Sequence, residues 1–176
     1  MRARAGRRAA AAARQPDSLE AAYTEAVKRL ARQPQSRAAL DRRLRELGYT
    51  EAAVAGALDR AREDGYIDDR EFAESLVRRR AAGWGHALIA QELRAKGVEE
   101  LDADAALSQV EPESEADRAL AFGRSLLARK APADPEALLA YLGPRLSRRG
   151  FSGGLVYRVC RLLADEWQAA GKFDSI

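Results

Sequence analysis

The sequence is poor in the residues on which most active sites and many folds depend. Its single cysteine, Cys160, excludes an internal disulfide and a cysteine-based zinc site. His86 is the only histidine, and no second histidine, cysteine or carboxylate stands at ligand spacing from it. Aromatic residues make up 6% of the chain, so large core anchors are sparse, which suits helix packing better than a β-sandwich. Valine, isoleucine and threonine are scarce too, and no run alternates apolar and polar residues long enough to propose a strand. No apolar stretch approaches the ~20 residues that cross a bilayer, and the first residues lack the leucine-rich core of a signal peptide. The expectations are an all-α protein, no membrane association and a cytoplasmic location.

Catalytic signatures are missing as well. Asp68-Asp69 could pair as acid and base, but adjacent residues at a helix start point in different directions, and capping accounts for Asp68. No nucleophile elbow supplies a serine to His86. Gly83-Trp84-Gly85 is too short for a dinucleotide fingerprint, and no Walker A sequence occurs. We expect no catalytic residue, metal or cofactor. Cys160 lies on an apolar helical stripe and reads as a buried thiol.

What the chain does contain is alanine, charge and a repeat. Charged residues form 32% of the sequence, with a net charge of +3. Arg2, Arg4, Arg7, Arg8 and Arg14 crowd the start; without those five, 25 basic residues face 27 acidic ones. Residues 1–17 are expected to form a basic, disordered tail, able to steer the protein toward nucleic acid or simply to be solvated.

The repeat emerges when Gly48, Gly97 and Gly150 are aligned. Eight residues before them lie Leu40, Ile89 and Leu142; four before, Leu44, Leu93 and Leu146. One residue after lie Tyr49, Val98 and Phe151; six after, Val54, Ala103 and Val156; ten after, Leu58, Leu107 and Cys160. Positions −8 and −4 share a helical face. Glycine takes the left-handed conformation just past a helix end cheaply, so each glycine ends one helix and a second carries the stripe at +6 and +10. In the third copy that stripe is Val156, Val159, Cys160, Leu163 and Trp167. A further helix precedes each pair, near 19–32, 70–81 and 115–129. The chain thus reads as an array of three helix-turn-helix-like units, 18–68, 69–111 and 112–170, with a short tail at 171–176.

Start signals agree. Asp68 with Glu71 resembles a capping box before Phe72 and Leu76; Ser36 and Thr50 suit N-caps; Ser114 with Asp117 suits the third unit's start; Pro132 and Pro135 mark a loop. Gly83-Trp84-Gly85 forms a corner, with Gly85 aligned to Ser36, and Trp84 is either an anchor between units, the favoured reading, or a partner contact.

Three basic groups recur near the hinges: Arg42, Arg43 and Arg45; Arg78, Arg79 and Arg80, with Arg94 and Lys96; and Arg145, Arg148 and Arg149, followed by Arg158 and Arg161. An acidic run from Glu99 to Asp117 carries eight acids and no base. These charges suit solvated faces, and bases near helix C-termini are favourable anyway. They equally suit basic patches for phosphate and an acidic strip for a basic protein. Aromatics are too few to argue for sequence-specific reading of single strands.

The pattern resembles the RecX family of bacterial recombination regulators. The resemblance rests on Ser36-Arg37 before Leu40 and Leu44, Gly48-Tyr49, Gly65-Tyr66-Ile67-Asp68-Asp69, Phe72-Ala73, Arg79, Gly83, Gly85, Ile89, Glu92-Leu93, Lys96-Gly97-Val98, and Leu146-Ser147-Arg148-Arg149-Gly150-Phe151-Ser152. It spans roughly residues 20 to 165. Departures are Trp84 for a tyrosine or phenylalanine, Leu88 where the family often has a base, and Ala39 for a glutamate. The resemblance implies an elongated tandem array of three-helix units and a non-enzymatic partner of the RecA recombinase; we expect a monomer. Such a protein binds the RecA filament on single-stranded DNA and depresses ATP hydrolysis and strand exchange, with direct weak DNA binding in some members. The alternative is a DNA-binding regulator built from helix-turn-helix-like units and acting on duplex DNA.

Overall fold

The structure, a computed structural model, describes residues 15–110, 112–130 and 132–171, without the side chains of residues 112–114. The five tail arginines, the Ser114 side chain and residues 172–176 lie outside that description. Among the described residues there are nine α-helices and no strand: α1 (Leu19–Leu30), α2 (Arg37–Glu46), α3 (Glu51–Glu63), α4 (Asp69–Ala81), α5 (His86–Lys96), α6 (Glu100–Leu107), α7 (Pro112–Leu127), α8 (Pro135–Arg148) and α9 (Gly153–Ala169). None is long and apolar enough to cross a membrane.

Capping chemistry sets most of these boundaries. Ser18, Ser36, Asp134 and Ser152 each accept a hydrogen bond from the backbone N–H three residues on. Asp68 does the same for Glu71 N at 2.8 Å. Thr50 holds the N-cap position of α3, but its hydroxyl turns to the Pro16 carbonyl instead, which ties the start of the described chain to the α2–α3 corner. The seventh helix starts at Pro112, ahead of the Ser114 expected from sequence. Proline is well suited to a first turn, where its missing N–H has no intrahelical partner to lose.

Compactness divides the chain into two units. One holds the described residues of Met1–Ala73 together with Leu93–Ala103; the other holds Glu74–Glu92 and the described residues of Asp104–Ile176. In the first, α1, α2 and α3 pack around Ala22, Ala26, Leu40, Leu44, Tyr49, Val54, Leu58 and Ile67. The close α1–α3 pairing is lined by alanines, which let helix backbones approach. In the second, α7, α8 and α9 surround Leu127, Leu138, Leu142, Leu146, Phe151, Val159, Cys160 and Leu163, with Trp167 partly buried against them.

The aligned apolar positions are core positions. All six residues at −8 and −4 have no exposure, and every residue at +1, +6 and +10 is buried except Leu107, which is half-buried. Gly48, Gly97 and Gly150 have φ of +98°, +76° and +82°. At each, the glycine N–H bonds to the carbonyl three residues back, and the next N–H bonds to the carbonyl five back: Tyr49 N to Leu44 O, Val98 N to Leu93 O and Phe151 N to Leu146 O. These are three Schellman ends, and they turn the +1 residue back into the core.

Candidate partner-binding surface

The glycine ends do more than stop helices. Within the first unit, the C-terminus of α5 meets the N-terminus of α2. Ser36 Oγ donates to the Lys96 carbonyl at 2.5 Å while capping its own helix, and Arg42 Nη2 donates to the Ala95 carbonyl at 3.2 Å. A Cβ on Gly97 would collide with the Cβ of Ala38. Within the second unit, the C-terminus of α8 meets the N-terminus of α5 in the same way. Gly85 N donates to Arg149 O at 2.7 Å and Ala87 N to Gly150 O at 3.2 Å. A Cβ on Gly150 would strike the Leu88 backbone, and one on Gly85 would strike Gly150 and Phe151.

A carboxylate completes each joint. Asp69 Oδ1 accepts the Arg37 N–H at 2.8 Å in the first unit, and Glu115 Oε1 accepts the His86 N–H at 2.8 Å in the second. Both acids sit four residues before a fully buried alanine, Ala73 or Ala119. Burial pushes the Asp69 carboxyl above its usual range, against the opposing pull of the Arg37 backbone hydrogen bond. The Asp68-Asp69 pair therefore serves two helix starts: Asp68 caps α4 and Asp69 caps α2. His86 Nδ1 lies 3.5 Å from Glu115 Oε2, so the lone histidine belongs to a joint. Gly83 and Gly85 have ordinary φ values, and Gly85 is required instead by close backbone approach.

The three basic groups differ once their partners are known. In the first, Arg43 pairs with Glu46 at 2.6 Å, and Arg45 with Asp41 at 2.7 Å and Glu51 at 3.3 Å. Arg42 is exposed but spends its hydrogen bonding on the joint. In the second, Arg80 clamps Glu92 through two bonds of 2.7 and 2.8 Å and stacks 4.4 Å above the Trp84 ring. Arg78 approaches Glu74 at 3.8 Å, while Arg79, Arg94 and Lys96 are exposed. Trp84 is half-buried, with its ring beneath Arg80.

The third group keeps its charge. Arg145 donates to the Tyr141 carbonyl at 2.7 Å and lies 4.0 Å over its ring. Arg148 donates to Pro144 O at 3.1 Å. Arg149 donates to Gly83 O at 3.2 Å and covers Phe122 at 4.6 Å, bringing this group to the corner that follows Arg80. Arg158 and Arg161 are exposed on α9. Among the described residues none of these five forms an ion pair with a carboxylate. Carbonyls and rings orient a guanidinium but leave its full charge to a partner.

A family model described as RecX, second three-helix domain, matches residues 68–107. A regulatory protein RecX from Streptomyces coelicolor is 36% identical over 156 residues, covering 85% of this chain and 81% of the relative. The chain belongs to the RecX family. Another member, from Thermobifida fusca, is 36% identical over 159 residues, covering 89% of this chain and 84% of the relative. A crystal structure of a regulatory protein RecX matches 80% of this chain and 72% of its own at a TM-score of 0.73 and 28% identity. That of RecX from Lactobacillus salivarius matches 82% and 96% at 0.75 and 21% identity, a likeness of fold. The matched segment 68–107 begins at the Asp68 cap and takes in α4, α5 and α6.

Sequence reasoning missed the joint carboxylates Asp69 and Glu115 and the inter-helix role of Ser36. The alignment of Ser36 with Gly85 carried the signal for the joints. Both residues precede a second helix and lack bulk, which a close approach requires.

Proposed function

We propose that this RecX-family protein is a negative regulator of a RecA-type recombinase. It binds the recombinase filament on single-stranded DNA and lowers ATP hydrolysis and strand exchange, acting in the cytoplasm as a non-enzymatic monomer. The observation that carries this reading is the third basic group, five arginines without a carboxylate partner among the described residues, in a chain of a regulatory family. We read 18–68, 69–111 and 112–170 as quasi-equivalent units that touch successive protomers of a helical filament. Linkage of such weak contacts raises the effective concentration for each next one. Binding across protomers opposes the subunit rearrangements that accompany nucleotide turnover.

The test is ATP turnover by a RecA-type filament on single-stranded DNA, titrated with the protein. Suppression well below one protein per nucleotide-binding site is the expected result. Undiminished turnover at saturating protein would overturn the proposal.

A further inference from the structure

The helices that close the two three-helix cores, α3 and α9, finish alike. α3 has 13 residues and α9 has 17; the extra four make about one turn, so the same face stays inward. Counted back from the two ends, Ala53, Val54, Ala57, Leu58 and Ala61 match Val159, Cys160, Leu163, Ala164 and Trp167. All are buried except Trp167, which is half-buried. Both helices then reach a left-handed glycine, Gly65 at φ +77° and Gly171 at +61°. The N–H of each glycine bonds to the carbonyl three residues back.

After Gly65 the chain folds back over its helix end. The N–H groups of Tyr66 and Ile67 both donate to Ala61 O, at 2.8 and 3.3 Å. Tyr66 is 51% exposed, whereas Ile67 is buried in the first core, against which Leu30 from the end of α1 also packs. Asp68 then caps α4. After Gly171 the sequence runs Lys172-Phe173-Asp174, outside the described residues. It places a charge where Tyr66 is exposed, an aromatic where Ile67 is buried, and an acid where Asp68 stands.

The second unit has a cavity at the matching end of its core. It measures about 310 Å³ and lies between α7 and α9, walled by Leu127, Ala128, Leu163, Trp167, Arg124 and Glu166. Leu127 ends α7 as Leu30 ends α1. Arg124 holds Glu166 through bonds of 2.6 and 3.3 Å, so the two charges compensate each other and the cavity suits an uncharged, apolar occupant. Trp167 holds the place of Ala61, whose carbonyl receives the returning chain in the first unit. The same turn at Gly171 delivers the residue two positions on to the cavity's edge.

We propose that residues 172–174 fold back across the end of α9 as residues 66–68 do across the end of α3, and that the Phe173 ring is the occupant of this cavity, seated against Leu127, Leu163 and Trp167. Apolar burial and the pairing of two aromatic rings favour the seat. A tether of one residue from Gly171 keeps the ring's effective concentration high. The segment thereby straps α7 to α9.

The experiment follows Trp167 fluorescence in the full chain, with Trp84→Phe leaving Trp167 as the single tryptophan. Phe173→Ser in that background should shift emission to longer wavelength, raise quenching by acrylamide, and lower the melting temperature by about 5 °C. Phe173→Leu, which keeps an apolar side chain, should stay near the parent. Lys172→Ser, at the exposed place, should change none of the three. Nuclear Overhauser contacts should join the Phe173 ring to the methyl groups of Leu127 and Leu163. Emission, quenching and melting unaltered by Phe173→Ser would overturn the proposal, as would an equal effect from Lys172→Ser or a Phe173 ring that touches neither leucine. A parent emission that shifts to longer wavelength on dilution would give the cavity to a second copy of the chain, and overturns it too.

Discussion

Three glycines share one backbone conformation but not one environment, and that difference sets a quantitative test. Replacing Gly48 with alanine costs only the strain of a left-handed residue, about 1 kcal/mol, because no atom of the described residues lies within 4 Å of the added methyl. Replacing Gly97 costs the same strain plus an overlap with Ala38, for which overpacking adds roughly 1–3 kcal/mol. Both glycines belong to the same compact unit, so one unfolding transition reports on both. With a urea slope near ~2 kcal/mol per molar, the midpoint should fall by about 0.5 M for Gly48→Ala and by about 1–2 M for Gly97→Ala. Circular dichroism at 222 nm follows the transition. The steric share can be isolated: Ala38→Gly removes the atom that the new methyl strikes, so Gly97→Ala with Ala38→Gly should be less destabilised than the sum of the single changes, by ~1 kcal/mol or more. Equal midpoints for Gly48→Ala and Gly97→Ala, or an additive double variant, would refute the claim that α5 ends in contact with the start of α2.

Other expectations follow from the same contacts. Asp69→Ala removes the cap on the Arg37 N–H and should cost about 1 kcal/mol, whereas Asp69→Asn keeps an accepting oxygen. Since the folded state holds the Asp69 proton more tightly than the unfolded chain, wild-type stability from this group is highest below the ordinary carboxylate range and falls as pH rises through the raised value. The stability of Asp69→Asn relative to wild type should therefore climb with pH in that window and then level off, which urea melts across pH 3–7 check. Burial raises the Cys160 thiol above its normal range, so a thiol reagent at pH 8 should modify native protein far more slowly than protein in denaturing urea; equal rates would place Cys160 at the surface. Arg149→Glu should lower the melting temperature, because it removes a donor to Gly83 O and a cation over Phe122, while Arg148→Glu should leave the melt unchanged and weaken recombinase inhibition.

How much of this was legible in the sequence depends on the distance over which a residue acts. Leu40, Leu44 and Tyr49 declare their burial through spacing alone, because a helix converts sequence separation into a shared face. Gly48 declares its φ because the helix must end there with the core still to be covered. Both signals are local and recur three times. Partner choice is not local. Arg45 and Arg158 look equally available in the sequence, yet Asp41 and Glu51 compensate the first, while the second meets no described carboxylate. Arg149 reads as a binding residue by its place in a basic triplet, and its contacts with Gly83 and Phe122 come from chain that lies 66 and 27 residues earlier. Pairings at such separations leave no periodic trace.

The joints also explain why α2 and α5 each begin at a small residue and end at a glycine. The C-terminal glycine must present a bare backbone, and the N-terminal residue must be small and rich in donors. Ser36-Arg37 and Gly85-His86 meet that demand: each pair offers a slender first residue and a backbone N–H that a neighbouring carboxylate takes up. The start of α8 departs from it in two ways at once. Pro135 has no N–H to give, and Asp134 turns its own carboxylate onto Ala137 N at 2.6 Å. That helix start satisfies itself, so it cannot accept the kind of joint that α2 and α5 accept. At Gly48 a Cβ would meet nothing within 4 Å among the described residues, and its φ is of the same sign and size as those of Gly97 and Gly150.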